Sequence, residues 1–136
     1  MYSKDYLLNE TERLARLVAK LLGLKSRADQ EQEVQQVYKN TLVDEFGLTE
    51  EEMFLLTPEA FKEWLQHKSF NAAKLDALAQ LLYYYTKPFE ADAETLAQLQ
   101  KVLLIFDMLE REHHQQSFDN LSKRSIIQHY IQQHHA

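Results

Sequence analysis

Residues 46–65 read FGLTEEEMFLLTPEAFKEWL, and the order of stops and starts within them decides the fold class. Gly47 suits the left-handed position just past a helix, and Leu48 can fold back onto the last turn. Thr49 with Glu52 three residues on makes a capping-box pattern, and Leu48 with Met53 stands at hydrophobic-staple spacing. The device then repeats. Leu56 is a staple residue with Phe61 as its partner, Thr57 is an N-cap, and Pro58 falls at the first helical position. One helix end and two helix starts in twenty residues leave no room for a strand.

The rest of the chain carries the same punctuation. Gly23-Leu24 reads as a further helix stop. Pro88 disfavours helical geometry at Lys87 and closes a helix there. Asn71 and Asp92 are suited to cap the helices that follow them. The map is seven helices, at 4–23, 27–46, 50–56, 58–68, 72–87, 93–114 and 118–134. No alternation of period two persists long enough to argue a strand. With 136 residues, the expectation is a single all-α domain, residues 1–136, of antiparallel helical hairpins.

Composition narrows the function. There are no cysteines, which removes disulfide frameworks, zinc ribbons and thiol nucleophiles and fits a reducing cytoplasm. No apolar run reaches the roughly 20 residues that cross a bilayer, and the charge-broken start MYSKDYLLNETERLARLVAK does not read as a secretory signal. Cytoplasmic location is the expectation. The formal charge is −6, but it is unevenly spread. Residues 1–27 hold six basic and three acidic groups, whereas residues 28–66 hold two basic and ten acidic ones. Nucleic-acid binding wants a basic face, and only the first helix offers one; no nucleic acid is expected.

Helix faces carry more information. In the second helix Val34, Val37, Tyr38, Thr41, Leu42 and Phe46 form one stripe, so this helix is amphipathic in the ordinary way. The first helix is different. Leu7, Leu8, Leu14, Ala15, Leu17, Val18, Leu21, Leu22 and Leu24 spread over more than half its circumference, more than one neighbour can cover. Either the helix is central in its bundle or part of its arc is reserved for something outside the chain. Arg13, Arg16 and Lys20 form a polar strip beneath that arc. The strip suits a partner helix, a homodimer seam or an anionic membrane surface. The preferred reading is central packing of the helix within its own bundle, with the strip facing the acidic segment 28–66.

The stretch 78–109, LAQLLYYYTKPFEADAETLAQLQKVLLIFDML, resembles a tetratricopeptide-type helix–turn–helix unit. Leu78, Leu81, Leu82 and Tyr85 match the spacing of that family's first helix, and Ala97 stands where its second helix crosses. The opening DYLLNETERLARLVAKLLGLK is similar to the N-terminal helix of small uncharacterised bacterial all-helical proteins with a tetratricopeptide-like fold. The resemblance implies a fold, and it brings no catalytic residue.

Two clusters invite chemistry. EREHH at 110–114 places Glu110 and His113 as Glu-x-x-His on one helix face, the spacing used in di-iron carboxylate bundles. That chemistry needs the motif twice, and the nearest relative is Glu63 with His67 at i, i+4. A mononuclear metal site would recruit His129, His134 or His135 from the last helix. Against it, histidines at a helix C-terminus are stabilised by the helix dipole and by water, which is the preferred reading; no cofactor is expected. The run Tyr83-Tyr84-Tyr85 points in three directions about 100° apart. Tyr83 and Tyr84, with Phe89, are candidates to line a partner groove, since tyrosine combines apolar area with a polar tip. The preferred reading is that Tyr84 and Tyr85 are half-buried between helices with their hydroxyls at the surface. No phosphate loop, nucleophile elbow or spaced triad is present, so a non-catalytic interaction or adaptor module is the leading expectation. Metal binding through Glu110, His113 and His129 is second, and membrane association through the first helix third.

Overall fold

The stop-and-start signals at 46–65 act where the sequence places them. The structure of the chain, a computed structural model, describes residues 2–134, with side chains described for residues 8–134. Seven α-helices run in order: α1 (Tyr2–Lys25), α2 (Glu31–Thr41), α3 (Glu50–Leu55), α4 (Pro58–Lys68), α5 (Ala72–Thr86), α6 (Ala93–His113) and α7 (Phe118–His134). No strand occurs among the described residues, so the chain is all-α. None of these helices is long and apolar enough to cross a membrane.

Local chemistry explains most boundaries. The Thr49 amide donates to Glu52 Oε1 at 2.9 Å, and the Glu52 amide donates to Thr49 Oγ1 at 3.0 Å, closing the capping box. Those two bonds also hold the Glu52 carboxyl below its ordinary range, with the Thr49 backbone the larger cause. Thr57 accepts from the Ala60 amide, Asn71 from Lys74 and Asp92 from Thr95. Each satisfies an orphan N–H of a first turn. Lys87 is extended and its bond to Pro88 is cis.

Two junctions differ from the sequence reading. Helix α1 runs through Gly23 to Lys25, so Gly23 is an interior residue and not a stop. The end is made three residues later, where Ser26 Oγ donates to the Gly23 carbonyl at 2.7 Å and the Ser26 amide donates to the Leu22 carbonyl at 3.1 Å. Glycine at this interior position costs about 1 kcal/mol relative to alanine. A Cβ built at Gly23 meets nothing within 4 Å. Gly23→Ala is therefore expected to raise stability by about 0.5–1 kcal/mol, read as an upward shift of the urea midpoint.

The second difference is at the end of α2, which starts at Glu31 instead of residue 27 and widens into a π-helical turn at Leu42–Phe46. There the Leu48 amide reaches back to the Leu42 carbonyl at 3.2 Å and the Gly47 amide to the Val43 carbonyl at 3.1 Å. Gly47 sits at φ 73°, left-handed, as the stop signal requires.

The contacts group the helices into two compact units, one ending at Leu55 and the other beginning at Leu56. In the first, α1 packs on α2, and Leu14, Leu21, Val34, Tyr38, Leu42 and Met53 are among its buried residues. In the second, α6 packs against α4, α5 and α7. That central place explains why α6 is apolar nearly all round: Leu99, Val102, Ile105, Phe106 and Leu109 are all buried.

Candidate functional site

Helix α1 is buried along one edge of its apolar arc and exposed along the other. Winding it at about 100° per residue puts Glu10, Leu14 and Leu21 on one side, and all three are buried. Leu17, Val18 and Leu24 border that side and are half-buried. The far edge of the same apolar arc is open. Leu8 is 54% exposed and Leu22 38%, with Thr11, Ala15 and Ala19 exposed between them. The side chain of Leu7, and the whole of His135, lie outside the described residues.

The basic strip divides in the same way. Arg13 makes a two-pronged pair with Glu45, Nε to Oε2 at 3.0 Å and NH2 to Oε1 at 2.8 Å. Fork-to-carboxylate geometry of this kind is the strong form of an ion pair. It ties α1 to the turn after α2, the acidic segment the sequence sets against it. Arg13 is thus used inside the first unit. Arg16 and Lys20 are exposed; Arg16 NH2 lies 3.6 Å from Glu12 Oε2, four residues earlier on the helix.

The aromatic cluster is internal to the second unit, which corrects the expectation for Tyr83. Its ring is 1% exposed, edge-to-face with Tyr84 at 5.2 Å and with Phe89 at 5.5 Å. Tyr84 and Phe89 are half-buried, and Phe89 leans on Tyr130 at 5.7 Å. Tyr130 donates to the Glu90 carbonyl, fastening the α5–α6 connection to α7. Two ammonium groups complete the cluster. Lys87 Nζ is 5.0 Å from the Tyr83 ring centre, and Lys123 Nζ is 5.5 Å from it and 5.0 Å from that of Tyr84. A cation over an aromatic face is attracted by the ring quadrupole. Tyr83 is thus enclosed between helices, while Tyr84 and Phe89 keep part of their surface open.

Lys123 and Lys101 are the residues sequence reasoning missed. Lys123 is buried on α7 and pairs with Asp119 one turn earlier. Lys101 is 1% exposed on α6, its Nζ 6.0 Å from the Phe61 ring centre. Their protonation responds oppositely to this burial. Desolvation holds Lys101 below the ordinary lysine value of 10.5. Desolvation also pushes Lys123 down, but its hydrogen bonds to Asp119 and Tyr84 outweigh it and leave the group raised.

These shifts fix the sign of a pH dependence. For Lys101 the unfolded chain binds more protons between the lowered value and 10.5, so stability rises with pH across that window. For Lys123 the contribution is present below 10.5 and is lost as pH rises through the raised value. Lys101→Met is expected to flatten the pH dependence of stability between the lowered value and 10.5, because the titrating group is gone. Urea midpoints of variant and parent at a series of pH values check this.

The EREHH cluster proves to be a helix end. His114 takes the left-handed cap position at φ 52°, and its amide and that of Gln115 both return to the Leu109 carbonyl. Glu110 accepts from Gln116 Nε2 at 3.0 Å and lies 3.1 Å from Arg124 NH2. His113 is half-buried, His129 is exposed, and His134 lies tilted against Tyr130, ring centres 4.6 Å apart. Among the described residues no group of three or more His, Asp or Glu side chains could hold a metal ion. Glu110, His113 and His129 therefore form no such group, and Glu110 instead contacts Gln116 and Arg124 at the α6–α7 junction.

Comparison with protein-family models, with curated proteins and with solved structures returns no match.

Proposed function

We propose that the chain is a non-catalytic protein–protein interaction or adaptor module, cytoplasmic in setting, that binds through the outer edge of α1. The single observation carrying this is the half-covered arc of that helix: Leu14 and Leu21 are buried while Leu8 and Leu22 stay open on the adjoining edge. Leucines two heptads apart on one helix face, with small residues between them, fit the pattern on which a partner helix docks. The tetratricopeptide resemblance of residues 78–109 supports a scaffold role for the second unit.

The test compares the tagged parent chain with the double variant Leu8→Glu and Leu22→Glu in one lysate containing an untagged copy. The reading predicts a protein held at a fixed ratio by the parent, the untagged copy included, and released by the variant. Equal retention by both, or nothing retained by the parent, would overturn it. Including anionic vesicles in the same comparison separates a protein partner from a membrane surface, since basic residues such as Arg16 and Lys20 would bind lipid in a salt-sensitive way.

A further inference from the structure

The open edge of α1 has a period and a charge pattern that specify its occupant. Leu8, Ala15 and Leu22 are spaced by seven, with Thr11 and Val18 between them at the alternate three- and four-residue steps. That is one heptad seam, with apolar residues at its ends and small ones at its centre. The adjoining side of the helix, with Leu14 and Leu21, is occupied by its own unit, and this seam is the apolar edge that stays open. Beside the seam, on the flank away from the buried face, Glu12 and Arg16 stand one turn apart. Both side chains are mostly exposed, at 68% and 75%.

We infer that the occupant is α1 of a second copy of this chain, lying antiparallel with the two-fold axis at Ala15. This inference rests on the interaction reading above and names its partner. In that register Leu8 of each chain meets Leu22 of the other, and the small Ala15 side chains let the helices close at the centre. An antiparallel pair sets like flanks against each other, so Glu12 of each copy stands about 3 Å along the axis from Arg16 of the other, at about 1.5 Å rise per residue. Two symmetric ion pairs form, replacing the loose 3.6 Å contact each chain makes within itself. A parallel pair would set that flank against the buried Leu14 and Leu21 side and leave both charges without such a partner. The surface is thus self-complementary in the sense a two-fold interface requires. One helix pair buries area at or below the low end of about 1,200 Å² for stable complexes. The dimer is therefore weak, with a Kd on the order of 1–100 μM.

The chain has no cysteine, so single introduced thiols report the geometry directly. Purified variants of the 136-residue chain would be equilibrated in a glutathione buffer at about 100 μM, with helicity checked by circular dichroism. Ala15→Cys should give mostly covalent dimer. Leu8→Cys and Leu22→Cys should each remain monomeric alone, because those positions lie about 21 Å apart along the helix, and should cross-link when mixed. Adding Arg16→Glu to Ala15→Cys should cut the dimer yield roughly 5- to 10-fold at low salt, and adding Glu12→Arg as well should restore it. A monomeric Ala15→Cys, or self-linking of Leu8→Cys as strong as that of Ala15→Cys, overturns the antiparallel dimer. If Ala15→Cys stays monomeric while the parent chain still retains a lysate protein that the Leu8→Glu, Leu22→Glu variant releases, only the identity of the partner has failed. If neither occurs, the interaction reading falls with it.

Discussion

Leu21→Ala is expected to destabilise the first unit by about 2–5 kcal/mol, the usual cost of emptying a fully enclosed leucine site. Leu22→Ala, one residue along, should stay within about 0.5 kcal/mol of the parent. Leu21 is 0% exposed and Leu22 is 38% exposed, so the same chemical deletion opens a cavity in one case and trims a surface in the other. Helix propensity is nearly the same for both substitutions, which removes the main confounding effect. Urea unfolding followed by circular dichroism reads the difference. Similar losses at both positions would mean that α1 is enclosed all round and has no edge to offer a partner.

The second large effect concerns the tyrosine run. Tyr83→Ala is expected to cost about 3–5 kcal/mol, since it removes a buried ring that Tyr84 and Phe89 pack against and that Lys87 and Lys123 face. Tyr84→Ala, at a half-buried ring, should cost clearly less. The single tryptophan, Trp64, lies in the same unit and stacks on Phe61 at 5.8 Å, so its fluorescence follows the unfolding of that unit. A loss below about 1 kcal/mol at Tyr83 would return its ring to the surface and reopen the partner-groove reading.

These two contrasts also show which parts of the molecule were legible in the sequence. Helix starts were, because a cap is a bond between residues three apart. Thr49 with Glu52, and the Thr57, Asn71 and Asp92 caps, need no tertiary context to form. The Gly23 stop was misread for a related reason. A glycine signals permission to leave the helix, and whether the chain leaves depends on the packing of Leu24 and Lys25 just beyond it. The π-helical turn at Leu42–Phe46 was invisible, since one extra residue per turn leaves the stripe Val34, Tyr38, Thr41, Leu42, Phe46 almost unchanged.

Burial of particular side chains was harder still. Three consecutive tyrosines give three directions but no indication of which side a neighbouring helix covers. Lys101 and Lys123 read as solvent residues because charge dominates a hydropathy pattern. Their aliphatic stems and the aromatic faces of Phe61, Tyr83 and Tyr84 make burial tolerable, and only the helix pairing shows it. The wide arc of α1 was legible as an excess of apolar surface. Which edge was left over depended on where α2 lies.

The claim on which the rest stands is that this leftover edge is a binding surface. Sedimentation velocity of the parent chain and of Leu22→Glu, from about 1 to 200 μM, tests it most directly. The parent should move from monomer toward dimer as concentration rises, while Leu22→Glu stays monomeric at unchanged helicity. A parent chain that remains monomeric throughout, or a variant that associates equally well, would contradict it.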